Sequence, residues 1–314
     1  MTMDRRRFLG MSLAAGAVAA TPRWAMSQAA QLPDRVLQGR EMALKTPITT
    51  TKLYDNVYAL QGAGGNMALQ TGKEGLVLID SSFSTSVPKV KEAIAAISKD
   101  SPDALINTHW HYDHTDGNEG MHAAGFSIFA HQKTRERMAT PQSIAFFHIE
   151  MPASPDAALP SITFTDSMQA WHNGDSLDLV HFDPAHTDTD IYIHFHKANV
   201  LHMGDTWFNG FYPFIDEATG GRIGGMIDAA QKGLSIADNQ TKIIPGHGPL
   251  GNKADLQRCH DMLSAIRDKV AALKASGASE QEAVAKKPTA DFDASWGKGM
   301  FNGDVFTGIV YRTV

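Results

Sequence analysis

A short apolar segment of the chain is followed almost at once by four side chains that can bind a metal ion. Residues 104–107 have the apolar character of a buried strand, and His109-Trp110-His111-Tyr112-Asp113-His114 begins two residues later. His109 and His111 are two residues apart, so they project to the same side of an extended segment. Imidazole and carboxylate groups together suit zinc or a similar first-row ion. The sequence therefore predicts a metal site where this strand ends, and a histidine-rich surface loop is the alternative.

Three further candidate ligands, His186, Asp205 and His247, each come shortly after a predicted strand. A single histidine in a loop is usually not a ligand. However, strand ends along one edge of a sheet are where binding sites converge in α/β proteins. The three residues and the segment 109–114 are therefore interpreted as parts of one site.

Predicted strands and helices alternate along the chain, which indicates an α/β fold with a sheet covered by helices. No linker or low-complexity segment interrupts this pattern, so residues 48–314 are predicted to form one catalytic domain with a C-terminal helical extension. Residues 141–160 are interpreted as a long loop or lid, and residues 279–314 as one or two short helices or extensions. The predicted strands are 56–60, 66–70, 75–80, 104–107, 126–130, 162–164, 168–172, 176–182, 191–196, 200–203 and 242–244. The predicted helices are 87–98, 120–124, 132–138, 223–237 and 256–275.

Charge and cysteine content exclude several classes of function. The net charge of −6 and the isoelectric point near 6.1 do not favour nucleic-acid binding, which usually needs a basic face. The single cysteine, Cys259, excludes an intramolecular disulfide and a cysteine-rich zinc cluster. The expected partner is a small-molecule substrate, and the sequence does not determine the oligomeric state.

The N-terminus has the pattern of an export signal. Arg5-Arg6-Arg7-Phe8-Leu9 precedes an apolar run of small residues at 10–20, which resembles a twin-arginine signal. This run is too short for a membrane span, which needs about 20 residues, although an uncleaved anchor is the alternative. Residues 1–29 are therefore predicted to be a signal peptide recognised by the twin-arginine export machinery, and residues 30–47 an N-terminal extension. The mature protein is expected in the periplasm without a stable membrane span.

From about residue 48 to 275 the sequence resembles the metallo-β-lactamase-fold superfamily, whose five signature motifs are all present. Asp80 ends a predicted strand as the first motif, residues 109–114 form the second, and His186, Asp205 and His247 carry the remaining three. The resemblance implies an α/β fold of the αβ/βα four-layer sandwich type, with two metal ions at one edge.

The resemblance also implies the role of each motif residue. Zn²⁺ is the expected metal, two per chain, with iron or manganese as alternatives. Asp80 is implied to fix the ligand loop without touching a metal. The implied ligands are His109, His111 and His186 for the first metal, Asp113, His114 and His247 for the second, and Asp205 as a bridge.

The implied activity is hydrolysis of an amide or ester-type carbonyl by metal-activated water, with Asp113 as the catalytic residue that orients the nucleophile and transfers its proton. The resemblance leaves three alternatives for the substrate, namely a β-lactam, a lactone and a thioester. His114 and Asp205 stand where one β-lactamase subclass has arginine and cysteine, and this combination is more similar to lactonases and thioesterases. A mononuclear iron sulfur dioxygenase and a non-catalytic metal-binding accessory protein are the alternative functions. The candidates for lining a substrate pocket, or for packing in the core, are Tyr112, Trp207, Phe208 and Tyr212.

The export signal can be tested by fractionating bacterial cells that express the full chain. We expect the protein in the periplasmic fraction, shortened at residues 17–19 or 27–29, where small-residue cleavage sites occur. Replacing Arg5 and Arg6 by lysine should retain the protein in the cytoplasm. Absence of the unsubstituted chain from the periplasm would contradict the prediction.

Overall fold

The computed structural model describes residues 32–314, and the predicted signal peptide therefore lies outside the described residues. This part of the chain forms a seven-stranded sheet, a five-stranded sheet and a small two-stranded hairpin. The strands are β1 (Thr49–Tyr54), β2 (Val57–Gln61), β3 (Met67–Gln70), β4 (Leu76–Ile79), β5 (Pro102–Ile106), β6 (Ser127–His131), β7 (Gln142–Ile144), β8 (Ile149–Met151), β9 (Ile162–Phe164), β10 (Ser167–His172), β11 (Asp175–His181), β12 (Ile191–Phe195), β13 (Val200–Phe208) and β14 (Lys242–His247).

Helices connect the parallel strands and cover the outer faces of both sheets. The α-helices are α1 (Asp34–Lys45), α2 (Val87–Ile97), α3 (Tyr112–Thr115), α4 (Asn118–Ala123), α5 (Gln132–Met138), α6 (Ile223–Ile236), α7 (Lys253–Ala275), α8 (Glu280–Ala285), α9 (Asp293–Trp296) and α10 (Gly303–Thr313). None of the helices within residues 32–314 combines the length and apolar composition that crossing a bilayer requires.

Each sheet is antiparallel at one side and parallel at the other. The seven-stranded sheet has the order β1-β2-β3-β4-β5-β6-β9, in which the neighbours from β4 to β9 are parallel. The five-stranded sheet follows the chain order from β10 to β14, and only β13 and β14 are parallel. Parallel neighbours need long crossover connections, which is why α2 lies between β4 and β5 and α6 lies between β13 and β14.

The two faces of β4 show how the layers stack. Side chains alternate along a strand, and Val77 and Ile79 pack in one apolar cluster with Phe195 of the other sheet. Leu78 packs in a different cluster with Val90 of α2. A third cluster joins the outer face of the five-stranded sheet to α6, α7 and α10. The order helix, sheet, sheet, helix confirms the predicted αβ/βα four-layer sandwich.

The structure differs most from the sequence-based predictions in two segments. Residues 141–160, interpreted as a loop or lid, contain the hairpin of β7 and β8, whose strands pair from Gln142 with Met151 to Ile144 with Ile149. The buried side chains of Ile144 and Ile149 attach this hairpin to the core. Residues 279–314 contain three helices where one or two were predicted, and α10 contributes the fully buried Phe306 to the same core.

The extension at residues 30–47 contains a helix that is attached to the domain by an ion pair. Arg40 of α1 donates two hydrogen bonds to the carboxylate of Asp116, at 2.6 and 2.9 Å. The Nζ of Lys89 also contacts three backbone carbonyls at the end of this helix, those of Ala43, Leu44 and Thr46. This segment is therefore packed against the four-layer sandwich.

The packing of the core can be tested by making the same substitution, leucine to alanine, at a buried and at an exposed position. Leu78→Ala should lower the free energy of unfolding by about 2–5 kcal/mol, because Leu78 is fully buried and its truncation leaves a cavity. Leu44→Ala is the control, since Leu44 is 58% exposed, and should change stability by less than about 0.5 kcal/mol. Denaturant titration would measure both, and an equal effect of the two would contradict this description of the core.

Candidate metal centre

The predicted ligands come from the ends of strands of both sheets. The segment 109–114 follows β5, and α3 begins within it, so the chain turns between His111 and His114. His186 lies in the connection between β11 and β12. The prediction that Asp205 and His247 follow their strands is wrong, because β13 and β14 extend beyond the predicted ends at residues 203 and 244. Asp205 lies within β13 and His247 ends β14, and these two strands are parallel neighbours. The two sheets therefore deliver their ligands to one edge of the sandwich.

Four of the predicted ligands form a first group. His109, His111, His186 and Asp205 each offer one donor atom, and these atoms lie within 4.8 Å of one another. The Nε2 of His186 is 2.8 Å from the Nδ1 of His111 and 3.4 Å from the Oδ2 of Asp205. All four residues are buried.

The other three predicted ligands form a second group beside the first. The donor atoms of Asp113, His114 and His247 also lie within 4.8 Å of one another. The Nε2 of His247 is 3.2 Å from the Oδ2 of Asp113 and 3.3 Å from the Oδ2 of Asp205. The Oδ1 of Asp205 is 3.0 Å from the Nε2 of His114. Asp205 therefore lies between the two groups, and the structure brings all seven residues together.

The donor atoms of these groups fit a metal centre better than a hydrogen-bonded network. Within residues 32–314, the Nε2 of His109 is buried without a hydrogen-bond partner. Such atoms are rare in folded proteins because each loses its hydration without compensation. Five imidazoles and two carboxylates facing one another supply the nitrogen and oxygen ligands that zinc and related ions prefer. The residues present therefore fit divalent metal ions.

Asp80 orients the ligand segment 109–114 through hydrogen bonds, without facing the donor atoms. Its Oδ2 accepts a hydrogen bond from His114 Nδ1 at 2.7 Å, and its two oxygens accept from the backbone N–H and hydroxyl of Thr108, both at 2.8 Å. The hydroxyl of Thr108 is in turn 3.0 Å from His109 Nδ1. Asp80 thus orients the imidazole of His114 and the backbone before His109, and its carboxylate does not face the donor atoms.

Asp216 is a supporting residue that the sequence-based reasoning missed. The Nδ1 of His111 faces His186, and the Nε2 of His111 donates to the Oδ2 of Asp216 at 3.0 Å. Thr219 donates to the same oxygen at 2.8 Å. Asp216 lies 105 residues after His111 and follows no motif, so no sequence pattern links the two.

The connection that carries His186 is held by a second missed carboxylate. Asp190 is buried, and its Oδ2 accepts the backbone N–H groups of His186 and Thr187, both at 2.8 Å. Burial raises the pKa of Asp190 to about 7. The His186 ring is fixed separately, because its Nδ1 donates to the backbone carbonyl of Phe214 at 2.9 Å.

The two groups differ in their charge when no metal is bound. Burial lowers the pKa of His186 to about 4, so its imidazole is neutral at pH 7. Burial also lowers the pKa of His247, but the carboxylates of Asp205 and Asp113 raise it more, to about 9. Burial raises the pKa of Asp113, but His114 and His247 lower it more, to about 2. Metal binding at the second group would therefore release protons from imidazolium groups.

The four aromatic candidates for a substrate pocket have different environments. Trp207 and Tyr212 are fully buried in the core, and Tyr212 donates from its hydroxyl to Asp293 at 2.9 Å, so neither lines a pocket. Phe208 is 4% exposed and stacks on His247, with ring centroids 5.2 Å apart. It therefore forms a wall of the ligand cluster.

Tyr112 lines a cavity of about 320 Å³ together with Trp110, Arg40 and Arg137. Within residues 32–314, the lining of this cavity includes none of the seven predicted ligands. The cavity is therefore adjacent to the ligand segment but separate from the cluster of donor atoms.

Solved structures share the fold at low sequence identity. A metallo-β-lactamase from Pontibacter korlensis is 18% identical with a TM-score of 0.56, over 69% of this chain and 99% of that one. The DIM-1 metallo-β-lactamase is 16% identical with a TM-score of 0.54, over 69% and 97%. The inverting sec-alkylsulfatase Pisa1 from Pseudomonas sp. is 16% identical with a TM-score of 0.64, over 91% of this chain and 53% of that one. This chain thus spans about half the length of the alkylsulfatase.

A search of curated proteins finds no significant match to the sequence. The family model of the metallo-β-lactamase superfamily, by contrast, matches residues 60–247, a region that contains every residue of the two ligand groups. Because this match covers more than half of the chain, the protein belongs to the metallo-β-lactamase superfamily.

Proposed function

We propose that the protein is an exported dinuclear metallohydrolase that cleaves an amide or ester-type carbonyl in a β-lactam, a lactone or a thioester. The position of Asp205 carries this proposal. Its two carboxylate oxygens lie 3.0 Å from His114 of the second group and 3.4 Å from His186 of the first. A carboxylate between two sets of imidazoles supports a pair of ions that share one ligand.

The first group, His109, His111 and His186, would hold one ion, and Asp113, His114 and His247 would hold the other. Zn²⁺ is the expected ion, since imidazole and carboxylate are its usual ligands in hydrolytic sites. A pair of such ions would supply Lewis-acid polarisation of the substrate carbonyl and an activated water molecule.

Asp113 is the proposed catalytic residue. Its side chain is 21% exposed and that of His247 is 22% exposed, whereas those of His109, His114 and His186 are almost completely buried. A substrate that approaches from solvent therefore meets Asp113 and His247 first. From this position the Asp113 carboxylate can orient the attacking water and transfer its proton to the leaving group.

The two alternative functions are less consistent with this geometry. A mononuclear iron dioxygenase would use one metal, yet the donor atoms of the second group also lie within 4.8 Å of one another. A non-catalytic accessory protein would not need a partly exposed carboxylate beside a buried donor cluster. Export depends on residues 1–29 alone, and its support is the pattern of the sequence.

The hydrolase proposal is tested by assaying the zinc-reconstituted mature protein against β-lactam, lactone, thioester and sulfate-ester panels. The sulfate ester is included because one similar fold belongs to an alkylsulfatase. His111→Ala should lower kcat/KM by at least about 100-fold, because it removes a ligand of the first ion. The matched control is His172→Ala, since His172 pairs with Asp103 outside the cluster and its loss should leave turnover unchanged.

Metal analysis and oxygen consumption of the mature protein as purified, before zinc reconstitution, distinguish the alternatives. At least two equivalents of zinc with no oxygen uptake support the hydrolase. One equivalent of iron with oxygen uptake would replace it by the dioxygenase. Turnover that survives His111→Ala unchanged would contradict the assigned site.

The supporting role of Asp216 gives a separate prediction. Asp216→Asn should lower zinc affinity by about 10–100-fold, because the carboxylate that orients His111 is lost. Asp228→Asn is the control, since Asp228 is exposed on α6 and should bind zinc as the unsubstituted chain does. Competition with a chromophoric chelator measures both affinities, and equal values would remove Asp216 from the metal centre.

A further inference from the structure

A third group of donor atoms lies on the five-stranded sheet, outside the metal centre. Asp178 of β11, together with His194 in β12 and His196 directly after it, offers donor atoms that all lie within 4.8 Å of one another. We propose that these three side chains bind a first-row divalent cation, such as Zn²⁺ or Cu²⁺, at a site exposed to solvent.

Strand geometry places the three side chains on one face. His194 and His196 are two residues apart and project to the same side, and their ring centroids are 4.3 Å apart. Asp178 is the partner of His194 in the register of β11 with β12. Side chains directly opposite on antiparallel strands are close neighbours, so the carboxylate lies against both imidazoles. The Oδ2 of Asp178 is 2.7 Å from the Nε2 of His196.

The neighbours of the group orient the donors. Gln169 of β10 donates from its Nε2 to the Oδ1 of Asp178 at 2.7 Å, which leaves the Oδ2 facing His196. Within residues 32–314, no hydrogen bond engages the ring of His194. Two imidazoles and a carboxylate form a ligand set that first-row ions accept.

This site is open and separate from the metal centre. The side chains of His196 and Asp178 are 43% and 30% exposed, so water can complete the coordination of an ion there. Leu201 of β13 is the register partner of His194, and Asp205 follows four residues later along the strand. At about 3.3 Å per residue, the two sites are on the order of 13 Å apart. An ion at the exposed site is therefore expected to exchange more readily than one in the buried centre.

Metal stoichiometry of the untagged mature protein tests the proposal. After equilibrium dialysis against zinc, His194→Ala and His196→Ala should each bind one equivalent fewer than the unsubstituted protein. Gln169→Ala should keep the site with about tenfold weaker affinity, since the carboxylate loses its orienting partner. His172→Ala is the matched control, because it also removes a histidine paired with an aspartate and should bind as the unsubstituted protein does. Equal stoichiometry in all four variants and the unsubstituted chain would overturn the proposal.

A spectroscopic measurement separates this site from the buried centre. Cu²⁺ added in excess to the His111→Ala chain, in which the first metal group is damaged, should give an electron paramagnetic resonance spectrum with a component from the exposed site beside that of the second group. Adding His194→Ala should remove that component, and a spectrum unchanged by the added substitution would overturn the proposal. The stoichiometric difference does not depend on turnover, so it can succeed or fail whether or not the hydrolase proposal holds.

Discussion

The carboxylate of Asp205 is the interaction on which the arrangement of the metal centre depends. It is buried, with a side-chain exposure of 4%, and it contacts imidazoles of both ligand groups. A buried charge is costly unless it is paired, and here the compensation comes from several imidazoles at once. Within residues 32–314, the buried Nε2 of His109 beside it still lacks a hydrogen-bond partner. The site is therefore most stable when cations occupy it, which couples metal binding to the stability of this edge of the sandwich.

The surrounding structure holds the ligands in place through carboxylates that do not touch the donor cluster. Asp80 adopts a left-handed conformation with φ of 59°, which costs a non-glycine residue roughly 1–2 kcal/mol. The hydrogen bonds that it accepts from His114 and Thr108 offset this cost. Asp216 and Asp190 act in the same way on His111 and on the connection that carries His186. Each sheet thus contributes both ligands and the groups that orient them.

Much of the fold could be predicted from local patterns. Apolar runs such as residues 76–79 predict the buried strands, and the spacing of apolar residues predicts α2 and α7. The sequence of residues 141–160 gives no strand signal, because the hairpin strands are only three residues long, too short to show an alternating pattern. For the aromatic residues after Asp205, the sequence does not distinguish a position in the site from one in the core, for a different reason. Sequence neighbours of a ligand can face the site, as Phe208 does, or the core, as Trp207 does.

The sequence by itself determined which seven side chains are candidates for binding metal, because their types and their positions after strands are local properties. Tertiary structure alone decided that Asp205 lies between the two groups, because that placement depends on the parallel pairing of β13 with β14 and on the stacking of the two sheets. It also decided that Asp216 contacts His111 and that Asp178 lies beside His194 and His196. Residues 105 positions apart that form a hydrogen bond, or residues on paired strands, show no periodic pattern in a single sequence.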